Sequence, residues 1–337
     1  MSHSRQWFPE EKPTVSVVCH TYNHESFVRR ALEGFLIQAT GFPVEIIVHD
    51  DASTDRTPEI VQEFAVQYPE CIFPILQEEN QFSRGRRPKE FTFPRARGEF
   101  IAQCEGDDFW TDPGKLQKQV DAMRRHPHVN LCVHPAMRVA VGRGRQRKGF
   151  DHGDRECVVR PEAVIGRHDQ FAPTASFLMR REAALEMLDW WLGSFPPPPV
   201  GDFFTEAIVG RNGVLYLPCI MAGYRRRVPN SYTKRFRQAS SEELETRLAR
   251  MLHFVERLRG MDGIPECALD QRLAYIRLNY ALQFLAIGDR ERFVHTSGKV
   301  RLRGHTCLQK ALATMRRSTL AFAAGRRGFQ ILRRARD

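Results

Sequence analysis

Phe100-Ile101-Ala102-Gln103-Cys104-Glu105-Gly106-Asp107-Asp108-Phe109-Trp110 is an apolar run that passes abruptly into three acidic side chains. Phe100–Cys104 has the composition of a buried strand, and the carboxylates begin where that strand stops. The arrangement occurs twice upstream. Val15–Cys19 ends at the polar turn His20-Thr21-Tyr22-Asn23-His24, and Glu45–His49 ends at Asp50-Asp51-Ala52-Ser53-Thr54-Asp55. Helical patterns lie between. Phe27, Ala31, Leu32, Phe35 and Leu36 share one face of a helix over about 26–39, and Thr57-Pro58 reads as the N-cap and first residue of a helix reaching about Tyr68. A short strand near Phe73–Leu76, a polar Arg- and Pro-rich loop over 80–97, and a helix capped by Asp112-Pro113 and running to about Arg125 complete the stretch. Strands alternating with helices at this spacing predict an α/β fold with a mostly parallel sheet flanked by helices. Ligands of such sheets gather beyond the carboxyl ends of the strands, so the three polar clusters are expected along one rim.

The 337 residues are 42% hydrophobic and 27% charged, which excludes a disordered chain. The formal net charge is +11, and residues 290–337 alone carry 13 Lys/Arg against 2 Asp/Glu, so the rest of the chain is balanced. This argues against a nucleic-acid groove through the body and for one basic contact region at the C-terminus. Trp7-Phe8 is followed at once by Pro9, Glu10, Glu11 and Lys12, which is not the apolar core of a signal peptide, and no run of 18 apolar residues occurs. The eight cysteines are never closer than 25 residues, which excludes CxxC knuckles; most sit in apolar runs such as Val17-Val18-Cys19 and are expected in the core of a cytoplasmic protein.

Residues 131–236 mix short strands with a helix over 181–192 ended by Gly193, then Pro196–Pro199 leading to Gly201-Asp202. A helix over 240–259 is opened by a capping box of Ser240 and Glu243, with Leu244, Leu248, Met251, Val255 and Leu258 on its apolar face. A second, from about Glu266 to Ile287, completes a helical hairpin. Beyond 290, Arg pairs alternate with Leu312, Met315, Leu320, Phe322, Phe329, Ile331 and Leu332. That pattern fits a helix lying on an anionic membrane surface, or one packed on its own domain with a solvated basic face. Nucleic acid is disfavoured, since no recognition module accompanies the charge.

Several catalytic motifs are missing. Gly142-x-Gly144 is followed by Arg147 rather than a third glycine, and there is no Walker A sequence, no His-Glu-x-x-His and no Gly-x-Ser-x-Gly. The candidate chemistry is that of carboxylates. Glu105, Asp107 and Asp108 repel one another unless a cation neutralises them, for which Mg²⁺ or Mn²⁺ bridging phosphate oxygens suits; a capped surface turn is the plain alternative. A carboxylate at Asp50–Asp55 can accept the imide N–H of a uracil or thymine ring, although turn chemistry explains Ser53, Thr54 and Asp55 as well. The ring of Tyr22 can stack on a base.

Together these motifs resemble the family 2 glycosyltransferases, inverting enzymes of the GT-A fold that use nucleotide sugars. The resemblance rests on Val15-Ser16-Val17-Val18 with Tyr22-Asn23, on Asp50–Asp55, and on Ala96-Arg97-Gly98-Glu99-Phe100-Ile101 leading into Glu105–Asp108. It covers about 13–130 closely and continues loosely to about 235. The expected organisation is an N-terminal extension over 1–12 and a GT-A domain over 13–236, with nucleotide-sugar and acceptor halves meeting near 130. A helical hairpin over 237–289 and a basic, amphipathic tail over 290–337 follow.

The resemblance implies that His20 and Tyr22 line the base pocket and that Asp51 reads the pyrimidine imide. It implies that Asp107 and Asp108 contact ribose and hold a divalent metal, Mn²⁺ or Mg²⁺. Glu105 stands where the family's Asp-x-Asp pattern has its first Asp, a mild departure. The general base of an inverting transfer, which takes the acceptor hydroxyl's proton, falls on Asp202, with Glu206 in reserve; a helix-capping role for Asp202 is the alternative. Many relatives have Tyr-Arg-x-His where this chain has Tyr224-Arg225-Arg226-Arg227. Arg227 cannot ligate a metal but can contact the diphosphate, as can Arg84 from the 80–97 loop.

The implied reaction moves a sugar from a UDP- or dTDP-sugar donor to a glycan or lipid-linked glycan acceptor by direct displacement. The expected setting is bacterial polysaccharide assembly in the cytoplasm, peripheral on the inner face of the membrane. Two rivals are a non-catalytic relative that binds a nucleotide sugar or a glycan, and a nucleotidyltransferase. The latter lacks the Gly-rich phosphate loop it would need after Val15–Cys19.

Overall fold

The computed structural model describes residues 11–142, 146–193, 197–228, 232–302 and 304–336. The 1–12 extension falls almost wholly outside the described residues, as do Gly144 and Pro196. In chain order the elements are β1 (Val15–Thr21), α1 (Val28–Leu36), β2 (Val44–Asp50), α2 (Thr57–Gln67), β3 (Ile72–Leu76), α3 (Lys89–Thr92), β4 (Phe100–Glu105), β5 (Phe109–Trp110), α4 (Lys115–Arg125), β6 (Leu131–Val133), β7 (Ala136–Ala140), β8 (Gln146–Gly149) and β9 (Cys157–Val159). Then follow α5 (Pro161–Ile165), β10 (Leu178–Arg180), α6 (Arg181–Leu192), α7 (Asp202–Val209), β11 (Val214–Tyr216), β12 (Ala222–Arg226), α8 (Tyr232–Gln238), α9 (Ser241–Glu256), α10 (Glu266–Ile287), α11 (Arg290–Gly298), α12 (Thr306–Arg317) and α13 (Thr319–Arg336). All strands, with α1–α4, α6 and α7, form one compact unit; α5 and α8–α13 form a second. Pro161–Asp169, expected within the GT-A domain, thus belongs to the helical unit.

In the first unit an eight-stranded sheet has the order β3-β2-β1-β4-β10-β6-β11-β9, with β3, β2, β1 and β4 parallel. Every residue of β1 and β2 is buried, as strands covered on both faces require. The register aligns Thr21 with Asp50 and His20 with both His49 and Glu105, so the polar clusters end at one level. A four-stranded sheet, β5-β12-β7-β8, sits beside that rim through β5, which follows the acidic cluster directly. A Cβ on Gly34 would lie 2.8 Å from the carbonyl oxygen of Trp110, so α1 reaches β5 only with glycine at that position. Arg97-Gly98 acts as a tie: Arg97 donates from its amide and Nε to Glu45, and Gly98 donates to the Ser16 hydroxyl, which itself donates to Glu45.

Several local expectations are corrected. The 80–97 segment contains α3 rather than only loop. Thr57 is the first residue of α2, not its cap; its hydroxyl donates to Asp55 at 2.5 Å, and the Asp55 carboxylate also accepts the Thr57 amide. Asp112 accepts the Gly114 amide, so α4 starts at Lys115. Cys157, Cys219, Cys267 and Cys307 are exposed rather than in the core.

In the second unit α9 opens on the Ser240–Glu243 capping box and α10 ends at Gly288 with φ 89°. The tail is three helices, and Phe293, Leu312 and Phe322 are buried against their own unit. No helix among the described residues is long and apolar enough to cross a membrane.

Candidate active site

The first unit gathers the three clusters at the carboxyl ends of β1, β2 and β4. Asn23 has φ 56° and ties the first two together: its side-chain oxygen accepts the Thr54 amide at 2.8 Å, and its own amide donates to the Ser53 hydroxyl. Asp50 accepts from Thr21, the Ser53 amide and the Ser53 hydroxyl, so it maintains the loop. Asp51, beside it, is buried and accepts the amides of Gln81 at 2.8 Å and Phe82 at 3.1 Å. Burial pushes its carboxyl up. Tyr22 is 43% exposed.

His20 is buried, with Nε2 3.0 Å from the Thr92 hydroxyl and Nδ1 3.5 Å from Glu105. Burial pushes the Glu105 carboxyl up, but His20 and the Gln103 amide outweigh it and hold Glu105 below its ordinary value. The turn beyond is pinned to β1, since Gly106 donates to the His20 carbonyl. Asp107 is half-buried and Asp108 buried. Burial pushes both carboxyls up, Asp108 far up, with Asp107 adding to its load. The countercharge is Arg225. Its amide donates to Asp108 Oδ1 at 2.7 Å, and its guanidinium donates to the Asp107 carbonyl at 2.6 Å while lying over the ring of Phe109.

Asp202 is the first residue of α7, and no side chain caps that helix. The capping alternative is therefore not what the structure shows. Gln170 donates to Asp202 at 3.3 Å. Lys89, from α3, is buried and donates to the Thr205 hydroxyl one turn along α7 at 2.8 Å. Burial pushes Asp202 up and Lys89 down, and the attraction between the two opposes both shifts. Tyr224, pushed up to about 12 by burial, lies in the field of Asp108, Asp202 and Asp107 together. Glu206 is buried with its carboxylate accepting the Phe171 and Ala172 amides, so the reserve base is a structural group. Arg84 pairs with Glu79 on the surface. Arg227 is exposed with φ 68°. A cavity of about 580 Å³ opens elsewhere, lined by Pro43, Val44, Phe73, Pro74 and Arg97, and holds none of these carboxylates.

The family model for glycosyl transferase family 2 matches residues 16–188. The chain belongs to this family. An uncharacterized protein of Mycobacterium tuberculosis (strain ATCC 25618 / H37Rv) is 35% identical over 263 residues, 74% of this chain and 71% of that protein. The S. aureus TarS 1-349 structure in complex with UDP-GlcNAc superposes with a TM-score of 0.65 at 19% identity, covering 96% of this chain and 92% of that one. The mannosyltransferase PcManGT from Pyrobaculum calidifontis, in complex with GDP-Man and Mn²⁺, gives 0.50 at 18% identity, covering 97% and 89%. The α/β architecture with its C-terminal helical region is that of GT-A glycosyltransferases.

Two cationic residues beside the site carboxylates, Lys89 and Arg225, were not singled out in the sequence. Lys89 was submerged in an Arg-rich segment, and Arg225 was passed over for Arg227. The one available signal was that a lone Lys among Arg, beside Phe91 and Phe93, marks a cation suited to burial. The donor set at Asp107 and Asp108 fits a hard divalent cation: adjacent carboxylate oxygens, one half-buried and one buried, with the Arg225 guanidinium nearby. No cluster of three or more His, Cys, Asp or Glu surrounds a metal position among the described residues.

Proposed function

We propose that the protein transfers a sugar, with inversion, from a UDP- or dTDP-sugar to a hydroxyl of a glycan or lipid-linked glycan. The observation that carries this reading is the convergence of Asp107, Asp108 and Asp202 around Tyr224, with the half-buried Arg225 bonded to the acidic turn and the buried Lys89 beside Asp202. TarS was solved with UDP-GlcNAc, which supports a uridine donor.

Tyr22 and His20 border the base, and Asp51 has lone pairs left for the imide N–H. A divalent cation, Mn²⁺ or Mg²⁺, held by Asp107 and Asp108 supplies positive charge to the diphosphate. The Arg225 guanidinium is already in place beside those carboxylates and offsets charge developing on the leaving group. Asp202 takes the proton of the acceptor hydroxyl as its oxygen attacks the anomeric carbon from the face opposite the diphosphate. No covalent intermediate is required. A bacterial polysaccharide-assembly step on the cytoplasmic side of the membrane is the setting that matches such an acceptor.

The test is release of UDP or dTDP from a panel of nucleotide sugars, with and without Mn²⁺, for the wild type, Asp108→Ala and Asp202→Asn. Metal-dependent release from one donor that disappears in Asp108→Ala supports the reading. Absence of both release and nucleotide binding across the panel overturns it in favour of a non-catalytic, glycan-binding relative.

A further inference from the structure

Between Arg292 and Arg336 the chain has no acidic residue. The structure divides this basic segment into two roles. Arg316 donates to the Ser297 carbonyl at 2.9 Å, near the end of α11. Arg326 donates to the carbonyls of Ala286 and Ile287 at the end of α10. Both guanidinium groups serve helix C-termini, where the orphan carbonyls and the dipole favour a cation. Their sequence neighbours Arg317 and Arg327 are exposed. Each of these two pairs therefore spends one arginine on packing and presents the other to the outside.

Helix α13 is divided in the same way. Its inner face holds buried Phe322, and it carries Arg326 and Gln330, which donate to carbonyls at the end of α10. A side chain at Gly325 would collide with the Met315 sulfur of α12. On the other side Leu320, Ala323, Ala324, Arg327, Gly328 and Ile331 are spaced three and four apart, and all are exposed. Leu320 is 84% exposed and Ile331 67%. An exposed helical face that carries Leu320 and Ile331 with Arg327 between them, on a segment without a single carboxylate, is complementary to a surface that is apolar within and negative at its boundary.

We propose that the outer face of α13 docks on an anionic lipid bilayer, with Leu320 and Ile331 entering the headgroup region and Arg317 and Arg327 against lipid phosphates. The inference stands apart from sugar transfer, since it needs neither donor nor acceptor; it would place the protein where a lipid-linked acceptor resides. The apolar residues that make contact are not those that hold the helix to its own unit, so the face is presented without unfolding.

The test is co-sedimentation of the full chain with vesicles of phosphatidylcholine alone and of phosphatidylcholine with phosphatidylglycerol. Binding is expected only to the anionic vesicles. Each of Arg317→Glu and Arg327→Glu should weaken it about fivefold or more, because a basic side chain at such a surface contributes about that factor. Leu320→Asp with Ile331→Asp should abolish it, with an unchanged circular dichroism spectrum showing that the helices persist. No binding to anionic vesicles, or equal binding by the doubly substituted chain, overturns the proposal. So does a wild type that dimerises through this face, seen as a monomer in size-exclusion chromatography only after the Leu320/Ile331 substitutions while vesicle binding is unaltered.

Discussion

The main-chain amide of Arg225 donates to Asp108 Oδ1 at 2.7 Å, and the same residue's guanidinium reaches back to the Asp107 carbonyl at 2.6 Å. One residue of β12 thus satisfies the acidic turn through two separate groups. Replacing its side chain leaves the amide bond in place and removes the charge together with the guanidinium's bond to the Asp107 carbonyl. Arg225→Met is expected to lower kcat by about 10²–10³, the loss typical of one preorganised group facing developing charge. Its melting temperature should stay close to that of the wild type. Steady-state kinetics alongside thermal denaturation separates the two effects.

Asp108 should trade stability against function. Its carboxyl is buried next to that of Asp107, and burial together with that neighbour disfavours the charge. Asp108→Asn keeps the shape and removes the repulsion, so in metal-free buffer at neutral pH it is expected to raise the melting temperature by a few degrees, an effect of about 1–2 kcal/mol. Mn²⁺ binding in the presence of UDP, followed by calorimetry, should be lost in the same variant. A lower melting temperature with metal binding intact would contradict this reading.

Lys89 and Asp202 predict a shift in the pH profile. Burial raises the carboxyl of Asp202, with Glu105 raising it further and Lys89 and Thr174 lowering it; Tyr224 also faces this group. A base must be ionised to act, so activity is expected to fall on acidification at a higher pH than an ordinary carboxylate would give. Removing the lysine charge in Lys89→Met should move that acid limb of kcat/KM to still higher pH. Lys89→Arg should restore part of the difference. A limb that stays put in Lys89→Met would show that the lysine acts only through Thr205.

Acid stability turns on a different group. Burial, then the neighbouring His20, lowers His49 to about 3, so the folded chain holds this ring neutral. Unfolding frees it to protonate near its ordinary 6.5. Between about 6.5 and 3 the unfolded state binds the extra proton, so the stabilisation present above 6.5 is lost as pH falls through that window. The loss is at most about 1.4 kcal/mol per pH unit. Urea midpoints at pH 7.5 and pH 5.0 should differ for the wild type by more than for His49→Gln, in which this contribution is absent.

The strand ends were legible because their signal is local. Val15–Thr21, Val44–Asp50 and Phe100–Glu105 each announce themselves by a β-branched or apolar run halted by polar residues, and parallel pairing then brings the stops to one level. Helix α10 was legible for the same reason, with Leu269, Leu273, Ile276, Tyr280 and Phe284 recurring three and four residues apart and all buried. The Ser240–Glu243 box needs only four consecutive residues.

What stayed hidden depends on residues far apart in the chain or on one backbone angle. Arg225 and Arg227 have the same parity and would share a face in an extended strand, so the motif alone cannot choose between them. The strand stops at Arg226, and φ 68° at Arg227 breaks the alternation that would have carried its side chain to the acidic turn. Lys89 meets Thr205 only because the short helix α3, concealed in a polar segment, packs near the start of α7. In the tail the composition specified basic and apolar residues at helical spacing. That Arg316 and Arg326 turn inward, and not Arg317 and Arg327, was settled by where the open carbonyls of α10 and α11 come to rest, a matter of packing between helices that no local pattern records.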